Sequence, residues 1–147
     1  MTNTYVVALI ESLEKKIQVL KEIREKNAEQ AQLLKADDFS FDKFDDNVEE
    51  KGLLIIRLDK LDEGFSTVYT KVKEELDSNR EAHAEEIKKM QALITEITDL
   101  SAAIEAEEAR NKASLEAIFK RERGKIKSNR SSVKALQSYS QAMNFKK

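Results

Sequence analysis

Between Ser78 and Lys127 one pattern constrains the fold more than any other. Ile87, Met90, Ile94, Ile97, Ser101, Ile104, Glu108, Asn111, Leu115 and Ile118 recur at alternating spacings of three and four, and seven of these ten are apolar. Leu93 and Leu100 widen the stripe. Such a period puts the row on one face of an α-helix and gives a strand no consistent inside. The pattern predicts a single helix over residues 78–127, which at about 1.5 Å per residue would be roughly 75 Å long. That is too long for the core of a compact globule, so it is expected to be the spine of an elongated bundle.

Composition extends the helical reading to the rest of the chain. There is no proline, no cysteine and no tryptophan among the 147 residues, and only three glycines, Gly52, Gly64 and Gly124. Helix breakers and aromatic strand formers are both scarce, so the expected class is all-α. With 40% hydrophobic residues the chain can bury one core. One bundle domain is expected over residues 1–127, followed by a C-terminal segment, 128–147. Without cysteine there is no disulfide framework and no thiolate metal site. No basic region precedes the few apolar residues of the N-terminus, and no run approaches the roughly eighteen apolar residues of a membrane span. A cytoplasmic protein is expected.

The net charge of −2 conceals an asymmetry. Residues 120–147 hold nine Lys or Arg against Glu122 alone, a net of +8. Taking these from the totals of 26 bases and 28 acids leaves 17 and 27 in residues 1–119, a net of −10. The body is acidic and the tail basic.

In chain order, the first helix is expected to start after Asn3 or Thr4, which can cap it, and to end near Lys35. Its stripe is Val6, Ile10, Leu13, Ile17, Leu20, Arg24, Asn27, Ala31 and Leu34. Asp37, Asp38 and Ser40 offer caps for a turn. A second helix is expected from about Phe41, its acidic residues clustered in the first turns where the macrodipole favours them. Phe41, Phe44, Val48, Ile55 and Leu58 form its inner face. Leu61-Asp62-Glu63-Gly64 reads as a helix end, with Gly64 as the cap, before a short piece with Phe65, Val68, Tyr69, Val72 and Leu76 on one face. Ser78 and Glu81 match the capping-box spacing.

Heptad arithmetic supplies a topology. A shift of 84 residues places Ile10 beside Ile94, Leu13 beside Ile97, Leu20 beside Ile104, Arg24 beside Glu108, Asn27 beside Asn111 and Leu34 beside Ile118. If the second helix returns antiparallel from the turn near residue 37, Lys51 meets the Arg24 and Glu108 layer. The expectation is an up-down-up antiparallel bundle, coiled-coil-like, with one ionic core layer of Arg24, Lys51 and Glu108. Such a layer costs stability but fixes register. The bland alternative is that these long side chains lie solvated on the flanks.

Beyond Gly124 the pattern loosens at Ser128-Asn129-Arg130-Ser131-Ser132, and a last amphipathic piece carries Val133, Leu136, Tyr139 and Met143 at spacing 3,3,4. Nothing upstream is left over to cover this face. It is expected to fold on a partner, ahead of docking loosely on the bundle.

Residues for catalysis and for cofactors are missing. His83 is the only histidine and has no second histidine or cysteine for a zinc set, so it is expected at the surface. The acidic cluster of Asp37, Asp38, Asp42, Asp45, Asp46, Glu49 and Glu50 lacks the spacing and the glycine of a calcium loop. No glycine-rich phosphate loop and no nucleophile motif is present. The basic tail is read first as charge complementing a helix C-terminus, second as a surface for a protein partner, and only third as a nucleic-acid site. The chain is expected to be no enzyme, to use no cofactor or metal and to bind no nucleic acid.

Several stretches taken together point to a family. Leu9-Ile10-Glu11-Ser12-Leu13-Glu14-Lys15-Lys16-Ile17-Gln18-Val19-Leu20 is followed by an acidic turn, then by Glu49-Glu50-Lys51-Gly52-Leu53-Leu54-Ile55 and Leu58-Asp59-Lys60-Leu61-Asp62-Glu63-Gly64-Phe65. Glu107-Glu108-Ala109-Arg110-Asn111-Lys112-Ala113-Ser114-Leu115 comes later. In this order and spacing they resemble the FlgN-type flagellar export chaperones over nearly the whole chain. The filament-cap chaperones share the size and helical character.

The resemblance implies a cytosolic chaperone of flagellar type III export that binds hook-filament junction proteins, keeps them unassembled and delivers them to the export apparatus. In the family it resembles, the C-terminal part of the chaperone contacts an amphipathic terminal helix of the client. Carried onto this chain, that places partner binding on Val133, Leu136, Tyr139 and Met143, with the surrounding Lys and Arg steering an acidic client. The competing reading is a coiled-coil scaffold or adaptor without an export role, homodimeric through the part of the long helix that overhangs the first.

Overall fold

The computed structural model describes residues 2–121, with side chains from residue 4. Within them the chain forms three helices, α1 (Thr2–Lys35), α2 (Phe41–Ser78) and α3 (Ala84–Arg121), and no strand. The described residues are all-α. Residues 128–147, with Val133, Leu136, Tyr139 and Met143, lie outside the described residues.

The first turn forms where its residues predict. Ser40 caps α2, since its Oγ accepts from the backbone N–H of Lys43 at 3.2 Å and its carbonyl from that of Phe44 at 3.1 Å. Asp42 stands in the first turn, where the positive end of the helix favours a carboxylate. Phe39 packs edge-on against Phe41, with ring centroids 4.7 Å apart, and lies 5.7 Å from Phe44, so the turn carries its own small apolar anchor.

Three expectations about punctuation are corrected. The helix end at Leu61–Gly64 is absent: α2 runs through it for 38 residues, and Gly64 has no positive φ. A mid-helix glycine costs only about 1 kcal/mol, which burial of Val72 and Leu76 farther along the same helix outweighs. The long helix does not begin at Ser78, which is instead the last residue of α2. Asn79 to His83 form successive tight turns, with Ala82 N–H to Asn79 O at 3.1 Å and His83 N–H to Arg80 O at 3.2 Å. The first α-helical bond of α3 is Ile87 N–H to His83 O at 2.9 Å. Ser78 turns its hydroxyl back onto Glu74 O, so it is no N-cap.

Contacts gather into two units, each using a length of all three helices. The first takes α1 as far as Lys21 together with Ile56–Ser101; the second takes Glu22–Ile55 together with α3 from Ala102. In the first unit Val6, Leu9, Leu13, Val72, Leu76 and Met90 form a buried cluster, with Tyr5, Ile10, Phe65, Val68, Ile87, Leu93 and Ile97 packed partly buried against it. In the second, Ile23, Leu34, Phe44, Val48, Leu54, Ile55, Ile104, Leu115 and Ile118 are buried. Phe41 stacks on Phe119 with centroids 5.6 Å apart, tying the start of α2 to the last turns of α3.

The buried row of α1 differs from the expected one by a single step at several positions. Leu9, Ile23 and Gln30 are each 0% exposed, where Ile10, Arg24 and Ala31 were expected. One residue is a rotation of about 100°, and a wide apolar stripe leaves either edge open to selection by packing. Ile94 is also corrected: it is 47% exposed, whereas Met90, expected in the same stripe, is buried.

Candidate functional site

The second unit contains a polar layer built from all three helices. Lys51 on α2 and Glu108 on α3 are both 0% exposed, with Nζ 2.7 Å from Oε1. The ammonium also donates to Asn27 Oδ1 on α1 at 3.0 Å. Arg24, the third member expected from the sequence, is absent from this layer. Its side chain is 45% exposed and pairs with Glu107 at 2.8 Å. Ile23 takes the inward place beside it, and the long guanidinium stem reaches solvent at little cost.

The layer continues one turn along the helices as an amide network. Asn111 Nδ2 donates to Asn27 O and to Gln30 Oε1, both at 3.0 Å. Gln30 Nε2 donates to Asn47 Oδ1 at 2.9 Å, and Asn47 Nδ2 donates to Lys26 O and Glu29 Oε1 at 3.0 Å. At its outer edge Asn27 Nδ2 donates to Glu107 Oε1 at 3.1 Å. Sequence reasoning singled out Lys51 and Glu108 but gave no role to Gln30 or Asn47. Their signal was present, since both are amides at inward heptad positions.

The order of partners is informative within this unit. As α1 positions rise from Lys26 to Gln30, their α2 partners fall from Glu50 to Asn47. Their α3 partners rise, from Glu107 for Arg24 to Asn111 for Asn27. A polar layer of this kind rewards one register, because sliding any helix by a turn would leave buried amides and charges without partners.

Chemically the layer is closed. Lys51 and Glu108 are 0% exposed, so no substrate reaches the ammonium or the carboxylate. Their arrangement suits holding helices together rather than proton transfer. Toward the surface, the Glu50 carboxylate 3.0 Å from Lys26 holds that ammonium above its usual range.

A second polar cluster lies in the first unit, at the turn between α2 and α3. His83, expected at the surface, is 7% exposed, and its Nε2 stands 3.1 Å from Glu75 Oε2. Asn79 Nδ2 donates to the same oxygen at 3.0 Å. Hydrogen bonds from Asn79 first and His83 second hold the Glu75 carboxyl below its usual range. The tight turns at Asn79–His83 fold the ring inward, which a surface reading based on its Ala and Glu neighbours did not capture. Arg80, Glu81, Ala84, Ile87, Lys88 and Gln91 line a shallow open depression beside it.

Among the described residues no group of three or more His, Cys, Asp or Glu is placed to hold a metal ion. No described helix is long and apolar enough to cross a membrane. No family model matches the chain, and neither a curated protein nor a solved structure matches it.

Proposed function

We propose that this chain is an up-down-up antiparallel helical bundle that serves as a cytosolic export chaperone of the FlgN type. It binds the amphipathic C-terminal helix of hook-filament junction proteins, holds them unassembled and hands them to the export apparatus. Client contact falls on Val133, Leu136, Tyr139 and Met143, with the basic residues around them steering an acidic helix.

The observation that carries the reading is the sealed layer of Lys51, Glu108 and Asn27. The buried charged pair of Lys51 and Glu108 is spent on helix register, which fits a binding scaffold better than a catalyst. The stretches that resemble the family fall in α1, α2 and α3, and Lys51, Glu108 and Asn111 are among their residues. A second reading, a scaffold without an export role, is favoured by the exposure of Leu53 and Ile56 on α2.

The test is binding of the purified full chain to a junction-protein C-terminal helix, at two salt concentrations, beside a Leu136→Asp/Tyr139→Asp variant. Binding that the variant loses and that weakens with salt is expected. No binding by the full chain rejects the chaperone reading. Binding unchanged in the variant moves the site away from residues 133–143.

A further inference from the structure

Asp42, Asp46 and Leu53 stand four and then seven residues apart on α2 and so share one face of that helix, wholly within the second unit. All three are exposed, and Leu53, at 64%, is the most exposed of the large hydrophobic side chains among the described residues. Asp38, also exposed, lies in the turn four residues before Asp42. The charge here has one sign: residues 37–50 hold seven Asp or Glu against Lys43 alone, a net of −6. The macrodipole favours a carboxylate in the first turn, at Asp42, but gives no reason for Asp46 beyond it.

The chain carries its own complement to this face. Phe119, near the end of α3, stacks on Phe41 at the start of α2, so the 26 residues that follow Arg121 leave the second unit beside Asp38 and Asp42. They hold seven Lys or Arg against Glu122 alone, a net of +6. Arg130 and Lys134 are four residues apart, as Asp38 and Asp42 are, and Phe145 follows Lys134 by eleven residues, as Leu53 follows Asp42. The nine residues from Arg121 to Arg130 can span about 30 Å, ample to reverse direction across a helix spacing of about 10 Å.

We propose that residues 130–145 dock as a helix on this face of α2, parallel to it, with Arg130 on Asp38, Lys134 on Asp42 and Phe145 on Leu53. At 100° per residue these three share one side of such a helix, and Val133, Leu136, Tyr139 and Met143 fall on the other. The segment is thus held by its basic side while its apolar stripe faces outward; that the stripe is held out for a client rests on the chaperone reading, whereas the docking does not. A second copy of the chain would bring the same acidic face against itself. A separate basic partner would lack the tether, which gives the chain's own segment an effective concentration in the millimolar range.

The experiment is disulfide trapping in the full chain, which has no cysteine of its own, and it contains no client, so it fails or succeeds apart from the chaperone reading. Leu53→Cys/Phe145→Cys should close an intramolecular disulfide on mild oxidation, and Leu53→Cys/Tyr139→Cys should not, because residue 139 lies on the outward side. Adding Asp42→Lys to the first pair should slow closure about fivefold, from one exposed charge contact reversed. Adding Lys134→Glu to that variant should restore it. At about 1 M salt, where the screening length falls to about 3 Å, closure should slow in the same way. Links that form only between molecules, closure as fast through residue 139, indifference to Asp42→Lys and to salt, or failure of the second reversal to rescue would each overturn the proposal.

Discussion

Glu108→Leu should be among the most damaging single substitutions in the second unit, and the damage should be largely reversed by a second substitution. In the folded protein Lys51 is 0% exposed, with Glu108 Oε1 at 2.7 Å and Asn27 Oδ1 at 3.0 Å. Removing the carboxylate leaves a buried ammonium whose opposite charge is gone, at a cost of about 3–5 kcal/mol. Lys51→Met by itself should cost a similar amount by taking the ammonium from the buried Glu108 carboxylate. Lys51→Met/Glu108→Leu removes both charges and keeps the volume, so its stability should lie within about 1 kcal/mol of the original protein or above it. The measurement is urea unfolding followed by circular dichroism. At a slope of about 2 kcal/mol/M, a loss of 4 kcal/mol moves the midpoint down by about 2 M. The double-mutant cycle should show a coupling of several kcal/mol between the two sites. If both single variants unfold at the original midpoint, or if the double variant loses the sum of the two single losses, the account of this layer is wrong.

Two further outcomes follow from particular residues. Gly64→Ala should stabilise the protein by about 0.5–1 kcal/mol, because Gly64 lies in mid-helix with no positive φ and an added methyl meets nothing within 4 Å; a lower unfolding midpoint would mean that the position does need a glycine. Glu75 is held below its usual range by Asn79 and His83, so its contribution to stability is complete above the unfolded carboxyl value and is lost as pH falls through the lower folded one. Glu75→Gln should therefore flatten part of the acid limb of the stability profile, and an acid limb identical to that of the original protein would show the pairing to be inert.

Much of this architecture is legible before any coordinates are seen. Absence of proline and a sustained 3,4 period permit helices and little else, and the stretch of Asp37, Asp38 and Ser40 marks a start of α2 near Phe41, with Ser40 the one that caps it. Heptad counting also brings Lys51 level with Glu108 and Asn27 level with Asn111, pairs that lie 2.7 Å apart and one hydrogen bond apart. Counting succeeds there because the rise per residue is fixed along each helix, so once one layer is aligned its neighbours stay level however the side chains settle.

Other choices have no local signature. A stripe four residues wide has two edges, and whether Ile23 or Arg24 turns inward depends on what the neighbouring helices present. Gly64 reads locally as a helix end, yet the burial of Val72 and Leu76 makes a continuous helix worth more than the glycine costs. His83 sits among Ala and Glu as a surface residue would, and only the tight turns after α2 fold its ring onto Glu75. By itself the sequence determined the class of structure, the first inter-helix turn and the level of the polar layer, because these depend on period and propensity. Tertiary structure alone decided which edge of each stripe is buried and where α2 gives way to α3. Those outcomes rest on burial free energies summed over contacts between residues distant in the chain, and no local window contains them.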